Sequence, residues 1–406
     1  MFFKTKRYPN NYLIEKGYLE IGDGYRAKNS EMDKDGLPFV RAGNIRDGFD
    51  FSNVDFLNKK SVEKAGNKVS KLNDCVITTK GSFGRVAYVN LNTPSFVYSP
   101  QLCYWRSLNA DIMDSRYLFY WLQGPEFCAQ AFQIKSSTDM ADYASLTDQR
   151  AMSITLPEIK IQKKVAAILS AYDDLIENNN RRIAILEKMA EELYREWFVR
   201  LRFPGHEKIK ITKGVPEGWE IKKIDTVVDR KGFGKIYREN ELSTEGKVIV
   251  IDQSIKNFLG FYDGQPEHIA TKDNPIIIFG DHSCKMQLML EPFSLAENVV
   301  PFVGKEDMQT VFLFYLIHNT IETTEYKRHW TELINKEVYI PTKELRKSFT
   351  NVVTDNIIQV RRITAISRKL CQIRDRLLPR LMSGKIDVEN LDIQFPASMM
   401  EDAVSA

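Results

Sequence analysis

The sequence predicts an α+β protein in which two mixed α/β globular parts alternate with two long helices that pack against each other. The segment from Glu158 to Leu201 contains no Gly or Pro, and its apolar residues recur in steps of three, four and seven or eight. This narrow stripe is typical of a coiled-coil helix. A second segment of the same design begins at Ile340. Short β-rich runs broken by Gly, Pro, Asn and Asp precede each helix and predict strands.

The composition sets limits on the class of protein. The chain has 406 residues, a net charge of +3 and 43% hydrophobic residues. This is ordinary for a soluble globular protein and excludes a collagen, a disordered tail and a disulfide-stapled miniprotein. The charge balance does not by itself indicate a nucleic-acid or membrane partner. The five cysteines form no Cys-x-x-Cys pair, which is typical of reduced thiols in the cytoplasm. The longest apolar run has seven residues, too short to span a bilayer, so we expect no membrane association.

The first globular part is predicted to comprise residues 1–155. Its β-rich runs include residues 75–79 and 85–89, and the aromatic segment Arg116–Gly124 predicts a short helix. A long helix is predicted within residues 156–201, where the polar cluster Asn178–Asn180 either fixes the register or bends or breaks the helix. About 43 helical residues would span roughly 65 Å, longer than a small domain needs.

The second globular part is predicted within residues 202–339, after a linker rich in Gly, Pro and Lys. Its β-rich runs include residues 248–251 and 275–279, and Gln309–Asn319 predicts a short aromatic helix. Residues 340–388 form the second long helix, and residues 389–406 form a tail.

The two long helices are copies of one design. A shift of 184 residues places Pro157 on Pro341, Ile161 on Leu345 and Leu186 on Leu370. Both copies begin with an apolar residue followed by Pro, and both keep the stripe for about nine turns, which indicates an internal repeat. A helix with one apolar stripe must bury it, and the other copy is the nearest partner of matching length.

The sequence contains none of the catalytic motifs that we sought. It has no GxxxxGK[ST] phosphate loop, no HExxH and no GxSxG, and its five histidines lack metal-ligand spacing. We therefore expect no enzyme activity, no bound cofactor and no metal in this chain. A recognition or scaffolding role is favoured.

Three loops carry polar residues suited to binding. Residues 80–85 and 279–285 are Gly-centred loops between β-rich runs, and glycine permits close backbone approach. Their side chains can donate to phosphates and base edges; the alternative is a hairpin with a solvated tip. Residues 38–45 form a strand that enters a turn, whose polar side chains either contact guanine and adenine or make structural hydrogen bonds. The candidate DNA-binding residues are Arg41, Asn44, Lys80, Ser82, Arg85, His282 and Lys285.

The chain resembles the DNA-specificity (S) subunit of type I restriction–modification systems. Leu156–Phe198 looks like the central conserved region of that family, and Leu378–Ile386 looks like its distal counterpart. Val215–Glu220 is similar to the opening of a second target-recognition domain. Pro275–Lys285 and Lys80–Val86 are similar to loops of such domains. The resemblance covers nearly the whole chain.

The resemblance implies a non-catalytic, cytoplasmic DNA-binding subunit. Residues 1–155 and 202–339 would be two target-recognition domains, each recognising half of an asymmetric bipartite site on double-stranded DNA. The two helices would pack antiparallel, set the spacer and dock two methyltransferase (M) subunits. Separate motor-nuclease (R) subunits would complete the complex. S-adenosylmethionine, ATP and Mg²⁺ would belong to these partners, and this chain would hold none of them.

The sequence is also compatible with other functions. A protein-binding coiled-coil adaptor would have the same helices but no DNA specificity. A modification-only complex would lack the nuclease, and an unrecognised enzyme would need a reactive cluster. Residues 340–388 carry 11 basic and 4 acidic residues; they could contact the DNA backbone, an acidic partner or only solvent.

Overall fold

The protein forms two compact units. The computed structural model describes residues 4–46, 48–80, 84–136, 144–254, 258–318, 320–321 and 327–400. Unit 1 contains residues 1–179 and 366–406, and unit 2 contains residues 180–365. The boundary falls inside both long helices, Ile159–Tyr194 and Lys343–Met382. Each unit therefore holds the first half of one long helix and the second half of the other.

Unit 1 contains two four-stranded sheets. Its main sheet is antiparallel throughout, in the order Leu19–Asp23, Leu102–Ser107, Cys75–Thr78, Val86–Tyr88. Its second sheet has the order Val97–Tyr98, Leu37–Val40, Asp55–Leu57, Met32–Asp33, and its first two strands are parallel. Two further strand pairs are Thr5–Pro9 with Ser153–Pro157, and Ile45–Arg46 with Gly48–Phe49. The β-rich runs near residues 75 and 85 are thus confirmed as a hairpin.

The helices of unit 1 close its core. The short α-helices are Asn10–Glu15, Lys59–Ala65, Ser115–Trp121, Pro125–Ser136 and Leu146–Ala151. Trp105, Trp121 and Phe127 pack with ring centroids 5.6–6.3 Å apart. Buried Leu169 and Leu381 of the two long helices join the same cluster. The long helices are therefore part of the core and not separate rods.

Unit 2 repeats this strand arrangement, except that its second sheet has three strands instead of four. Its main sheet is antiparallel, in the order Val228–Arg230, Val299–Gly304, Ile276–Gly280, Met286–Met289. Its second sheet has the order Gly260–Tyr262, Val248–Ile251, Phe293–Leu295, with the last two strands parallel. Two further pairs are Glu220–Lys223 with Glu337–Ile340, and Ile211–Thr212 with Val215–Pro216.

Aromatic side chains form the core of unit 2. The short α-helices are Thr310–Ile317 and Trp330–Ile334, and a π-helical turn, Arg195–Val199, follows the first long helix. Phe198, Phe312 and Phe349 lie with ring centroids 5.0–6.1 Å apart. Because Phe198 follows the first long helix and Phe349 lies on the second, this cluster joins both long helices to helix Thr310–Ile317.

The helix segments pack antiparallel inside each unit. In unit 1, Asp173 of the first long helix pairs with Arg374 of the second at 2.6 Å. Nine residues earlier in the first helix, Lys164 donates to the carbonyl of Glu389, which lies beyond the end of the second helix. An earlier residue of one helix thus meets a later residue of the other, as in antiparallel packing. In unit 2, the ring of Tyr194 lies 5.9 Å from that of Phe349. The predicted fold class, with long helices packed antiparallel, is confirmed.

The repeat also appears in the element boundaries. Strands Ser153–Pro157 and Glu337–Ile340 begin 184 residues apart, as do the two long helices that follow them. The first helix is continuous through Asn178–Asn180, so this polar cluster does not break it. Within the described ranges, no helix is both long enough and apolar enough to cross a membrane.

Candidate nucleic-acid interface

The turn after strand Leu37–Val40 carries two of the predicted residues. Asn44 uses its carboxamide to hold the turn, since Oδ1 accepts the Arg41 N–H at 2.9 Å and Nδ2 donates to the Asp50 carbonyl at 3.1 Å. The Arg41 guanidinium lies over the ring of Phe39 and pairs with Asp55, and both charged side chains are about half exposed. Exposed pairs are weak, so Arg41 can exchange its carboxylate for a phosphate or a base edge.

The neighbouring hairpin carries three more of the predicted DNA-binding residues. Lys80 is exposed at its tip and Ser82 lies outside the described residues. The Arg85 guanidinium donates to the Ile45 carbonyl at 3.1 Å. This bond brings the hairpin against the turn of Arg41 and Asn44, although 40 residues separate Arg85 from Ile45 in the chain. The predicted residues of unit 1 that the structure describes therefore share one surface region.

The corresponding loop of unit 2 is tightly folded. The Gly280 N–H donates to the Lys285 carbonyl at 2.8 Å, and Cys284 adopts φ +55°. A Cβ on Gly280 would lie 2.5 Å from Ser283 Oγ and 2.9 Å from Gln253 Cβ. Only glycine fits such an approach. The loop is thus packed directly on the end of strand Val248–Ile251.

A buried carboxylate anchors this loop from the other side. Asp281 Oδ1 accepts the backbone N–H groups of His329 and Trp330 at 3.0 and 2.8 Å. It thereby satisfies donors at the start of helix Trp330–Ile334 that have no helical partner. The loop that carries His282 and Lys285 is held at both ends.

The two predicted residues of unit 2 face the turn after strand Val248–Ile251. The His282 N–H donates to Gln253 Oε1 at 3.1 Å, and Lys285 Nζ reaches the Asp252 carbonyl at 3.4 Å. Burial lowers the pKa of Lys285, because desolvation disfavours the ammonium form. Contact of these residues, and of those in unit 1, with DNA stays a prediction.

The sequence analysis missed three polar residues in these regions: Gln101, Asp252 and Gln253. Gln101 lies between Tyr98 and strand Leu102–Ser107, and Asp252 and Gln253 follow the buried strand Val248–Ile251. The available signal was their position directly beside an apolar strand, where polar residues often serve binding.

Part of the positive charge of the second long helix is used inside the units. Arg346 pairs with Asp307 at 3.2 Å, and Arg374 pairs with Asp173 at 2.6 Å. The net positive charge of this helix is therefore partly neutralised by residues outside it. Among the described residues, no group of three or more His, Cys, Asp and Glu could hold a metal ion.

We expect Lys80→Ala and Lys285→Ala each to weaken DNA binding without unfolding the protein. Loss of one phosphate contact reduces the slope of log affinity against log salt by about 1. Binding of the full chain to duplex DNA across a salt series measures this slope. Lys80→Arg and Lys285→Arg keep the charge and serve as controls. Unchanged affinity and slope in the alanine variants would remove both lysines as contacts.

Comparison with known proteins gives a matching domain family and several similar proteins. Residues 16–188 match the family model described as type I restriction modification DNA specificity domain. The type I restriction enzyme MjaIX specificity subunit of Methanocaldococcus jannaschii is 24% identical over 307 residues, 68% of this chain and 70% of that protein. The MjaVIII specificity subunit of the same organism is 26% identical over 316 residues, 69% and 72% of the two chains.

A solved structure has the same fold. The crystal structure of a type I restriction–modification S subunit from M. genitalium has a TM-score of 0.57 at 14% identity, over 93% of this chain and 96% of that chain. The chain is thus similar to type I specificity subunits over about two thirds of its length.

Proposed function

We propose that the chain is the DNA-binding specificity subunit of a type I restriction–modification complex, and that each unit recognises one half of an asymmetric, bipartite site. One observation carries this proposal. The two units share a strand order but carry different side chains on corresponding loops. The turn at residues 41–44 corresponds to that at 252–254, and the hairpin loop at 79–85 corresponds to that at 280–285. One scaffold with two loop chemistries suits two different half-sites.

The chemistry of the two loop sets differs in kind. Unit 1 offers the guanidinium groups of Arg41 and Arg85, which suit guanine O6 and N7 or phosphate. Unit 2 combines the basic groups of His282 and Lys285 with the carboxylate of Asp252, and a carboxylate can accept from cytosine N4. Different donor and acceptor patterns select different base pairs, which supports an asymmetric target.

We infer that the two long helices set the spacing between the half-sites. Two recognition surfaces on one duplex must lie at a fixed separation and rotation along its axis. Both long helices contribute segments to the cores of both units, so helix length is suited to fix that separation.

The long helices also carry exposed apolar side chains suited to docking partners. Unit 1 exposes Leu175, Ile366 and Ile373, and unit 2 exposes Ile185, Met189 and Val352. Burial of apolar surface drives association. One set in each unit supports docking of one methyltransferase subunit per unit, two in all.

The reactions would belong to the partners. In this proposal the methyltransferase subunits use S-adenosylmethionine to methylate adenine, and motor-nuclease subunits use ATP and Mg²⁺. This chain contributes recognition only and acts in the cytoplasm. A methyltransferase must extrude its target base at a cost of a few kcal/mol, which binding of two half-sites would help to offset.

Methylome sequencing tests the proposal. A host that expresses the chain with its methyltransferase subunit should carry methyladenine at an interrupted, non-palindromic sequence. The same host with the methyltransferase alone is the control. A continuous palindrome would contradict two-unit recognition, and the absence of any motif would favour the protein-binding adaptor.

We expect that exchange of residues 1–150 for those of another family member will change one half of the methylated sequence only. The exchanged segment contains the recognition loops of unit 1, whereas the loops and the core of unit 2 are unchanged. Methylome sequencing of the exchanged chain measures the outcome. If both halves of the motif changed, independent recognition by the two units would be wrong.

A further inference from the structure

In unit 1, Gln101 joins the two loops that carry the predicted residues. Its Oε1 accepts the N–H of Ala42, which lies between Arg41 and Asn44, at 3.1 Å. Its backbone carbonyl accepts the N–H and the hydroxyl of Thr79 at 2.8 and 3.1 Å. Thr79 directly precedes Lys80. One glutamine thus fixes the distance between the turn and the hairpin.

Gln253 does the same in unit 2. Its Oε1 accepts the N–H of His282 at 3.1 Å, and its backbone carbonyl accepts the Ser283 hydroxyl at 2.5 Å. Ser283 Oγ in turn accepts the Lys285 N–H at 3.3 Å. Gln253 therefore binds the loop at His282 through its side chain, and beside Lys285 through its backbone carbonyl and Ser283.

The two glutamines are not equivalent in sequence position. Gln253 follows strand Val248–Ile251 of the second sheet of unit 2. Gln101 instead precedes strand Leu102–Ser107 of the main sheet of unit 1. Yet each uses a carboxamide oxygen to accept a backbone N–H from a loop, and its own backbone carbonyl to bind a second residue. The same pair of contacts, made from two different positions of a shared strand order, indicates that the relative position of the loops matters in each unit.

Loop position matters because base recognition depends on geometry. A bidentate contact requires two hydrogen bonds to one base edge, and both weaken steeply when the donor or acceptor is misaligned. Contacts to phosphate tolerate displacement better, since they depend on charge. Release of one loop from the other should therefore reduce discrimination between bases more than total affinity.

We propose that Gln101 and Gln253 are positioning residues that fix the base-recognition loops of units 1 and 2, each for its own half-site. This inference rests on the proposed function and deepens it. Neither glutamine needs to touch DNA. Its carboxamide oxygen orients the loop backbone, and the loop side chains contact the bases.

The test uses the full chain in complex with its methyltransferase subunits. Binding is measured to the methylome-defined duplex and to duplexes with one base pair changed in either half. Gln101→Leu removes the accepting oxygen in unit 1 and should lower discrimination about tenfold in the half assigned to residues 1–150, within the range of one base contact. Gln253→Leu should do so only in the other half.

Gln101→Glu and Gln253→Glu are the matched variants, because a carboxylate keeps the accepting oxygen. We expect these variants to retain discrimination in both halves, while their negative charge lowers affinity for every duplex alike. They also keep the test informative if a leucine variant fails to fold. Loss of discrimination in a folded glutamate variant would contradict positioning through the oxygen.

The outcomes separate this inference from the proposed function. If the parent chain selects a bipartite sequence but the leucine variants discriminate as it does, the positioning role is wrong and the proposed function stands. Equal loss in both halves would likewise overturn it. If the parent chain selects no bipartite sequence, both the proposed function and this inference fail.

Discussion

Asp74→Ala should lower the stability of unit 1 by about 3–5 kcal/mol, the typical cost of removing one partner of a buried ion pair. Asp74 is fully buried, and its oxygens accept from Arg106 Nε and Nη2 at 2.6 and 2.8 Å. The Tyr98 hydroxyl also donates to Asp74, at 2.6 Å. The alanine variant would leave a buried guanidinium paired with the partly exposed Glu20, at 2.9 Å.

Amide hydrogen exchange of strand Cys75–Thr78 measures this loss locally. Asp55→Ala is the matched control, because Asp55 also pairs with an arginine but its side chain is 56% exposed. Exposed pairs contribute about 0–1 kcal/mol, so exchange in the control should stay near that of the parent chain. Equal protection in both variants would show that the buried pair does not stabilise unit 1.

Phe349→Ala should lower the stability of unit 2 by a similar amount, about 3–5 kcal/mol. Phe349 is fully buried, and its ring lies 5.2 Å from Phe198 and 5.5 Å from Tyr315. Truncation leaves a cavity among rings that cannot all shift to fill it. Exchange of strand Ile276–Gly280 reports the change within unit 2.

Val352→Ala controls for the helix itself. Val352 lies three residues further along the same helix and is 51% exposed, so its truncation removes little buried surface. We expect a change within about 0.5 kcal/mol. A large effect of Val352→Ala, or none of Phe349→Ala, would show that this cluster does not hold the second long helix in the core of unit 2.

The long helices were predictable because their signal is local. The spacing of apolar residues defines each helix without reference to the rest of the chain. The first helix also lacks Gly and Pro, whereas the second contains Pro379 in its last turn. The strands of the main sheets were also visible where they are fully buried, as at Cys75–Thr78 and Val248–Ile251.

The common strand order of the two units was not predictable in the same way. It depends on pairings between distant segments, such as Val97–Tyr98 with Leu37–Val40, and some strands have only two residues. Such short strands have no periodicity that a sequence reveals, and the globular parts share little sequence pattern.

The candidate site was predictable only in its parts. Glycine and basic residues marked the loops, but the bond between Arg85 and the Ile45 carbonyl depends on the tertiary fold. The roles of Gln101 and Gln253 could not be foreseen either. A lone glutamine beside a strand has many possible hydrogen-bond partners, and the N–H groups that it accepts here belong to segments distant in the sequence.

The strand pair that closes each globular part has an evolutionary consequence. Thr5 pairs with Pro157 in unit 1, and Glu220 pairs with Ile340 in unit 2. Paired residues of antiparallel strands lie about 4.5–5.5 Å apart. The chain segments at the start and the end of each globular part therefore lie side by side. Under the proposed function, recombination at these two strands would replace a whole globular part while the flanking helices keep their ends. New specificities would then arise without change to the helices.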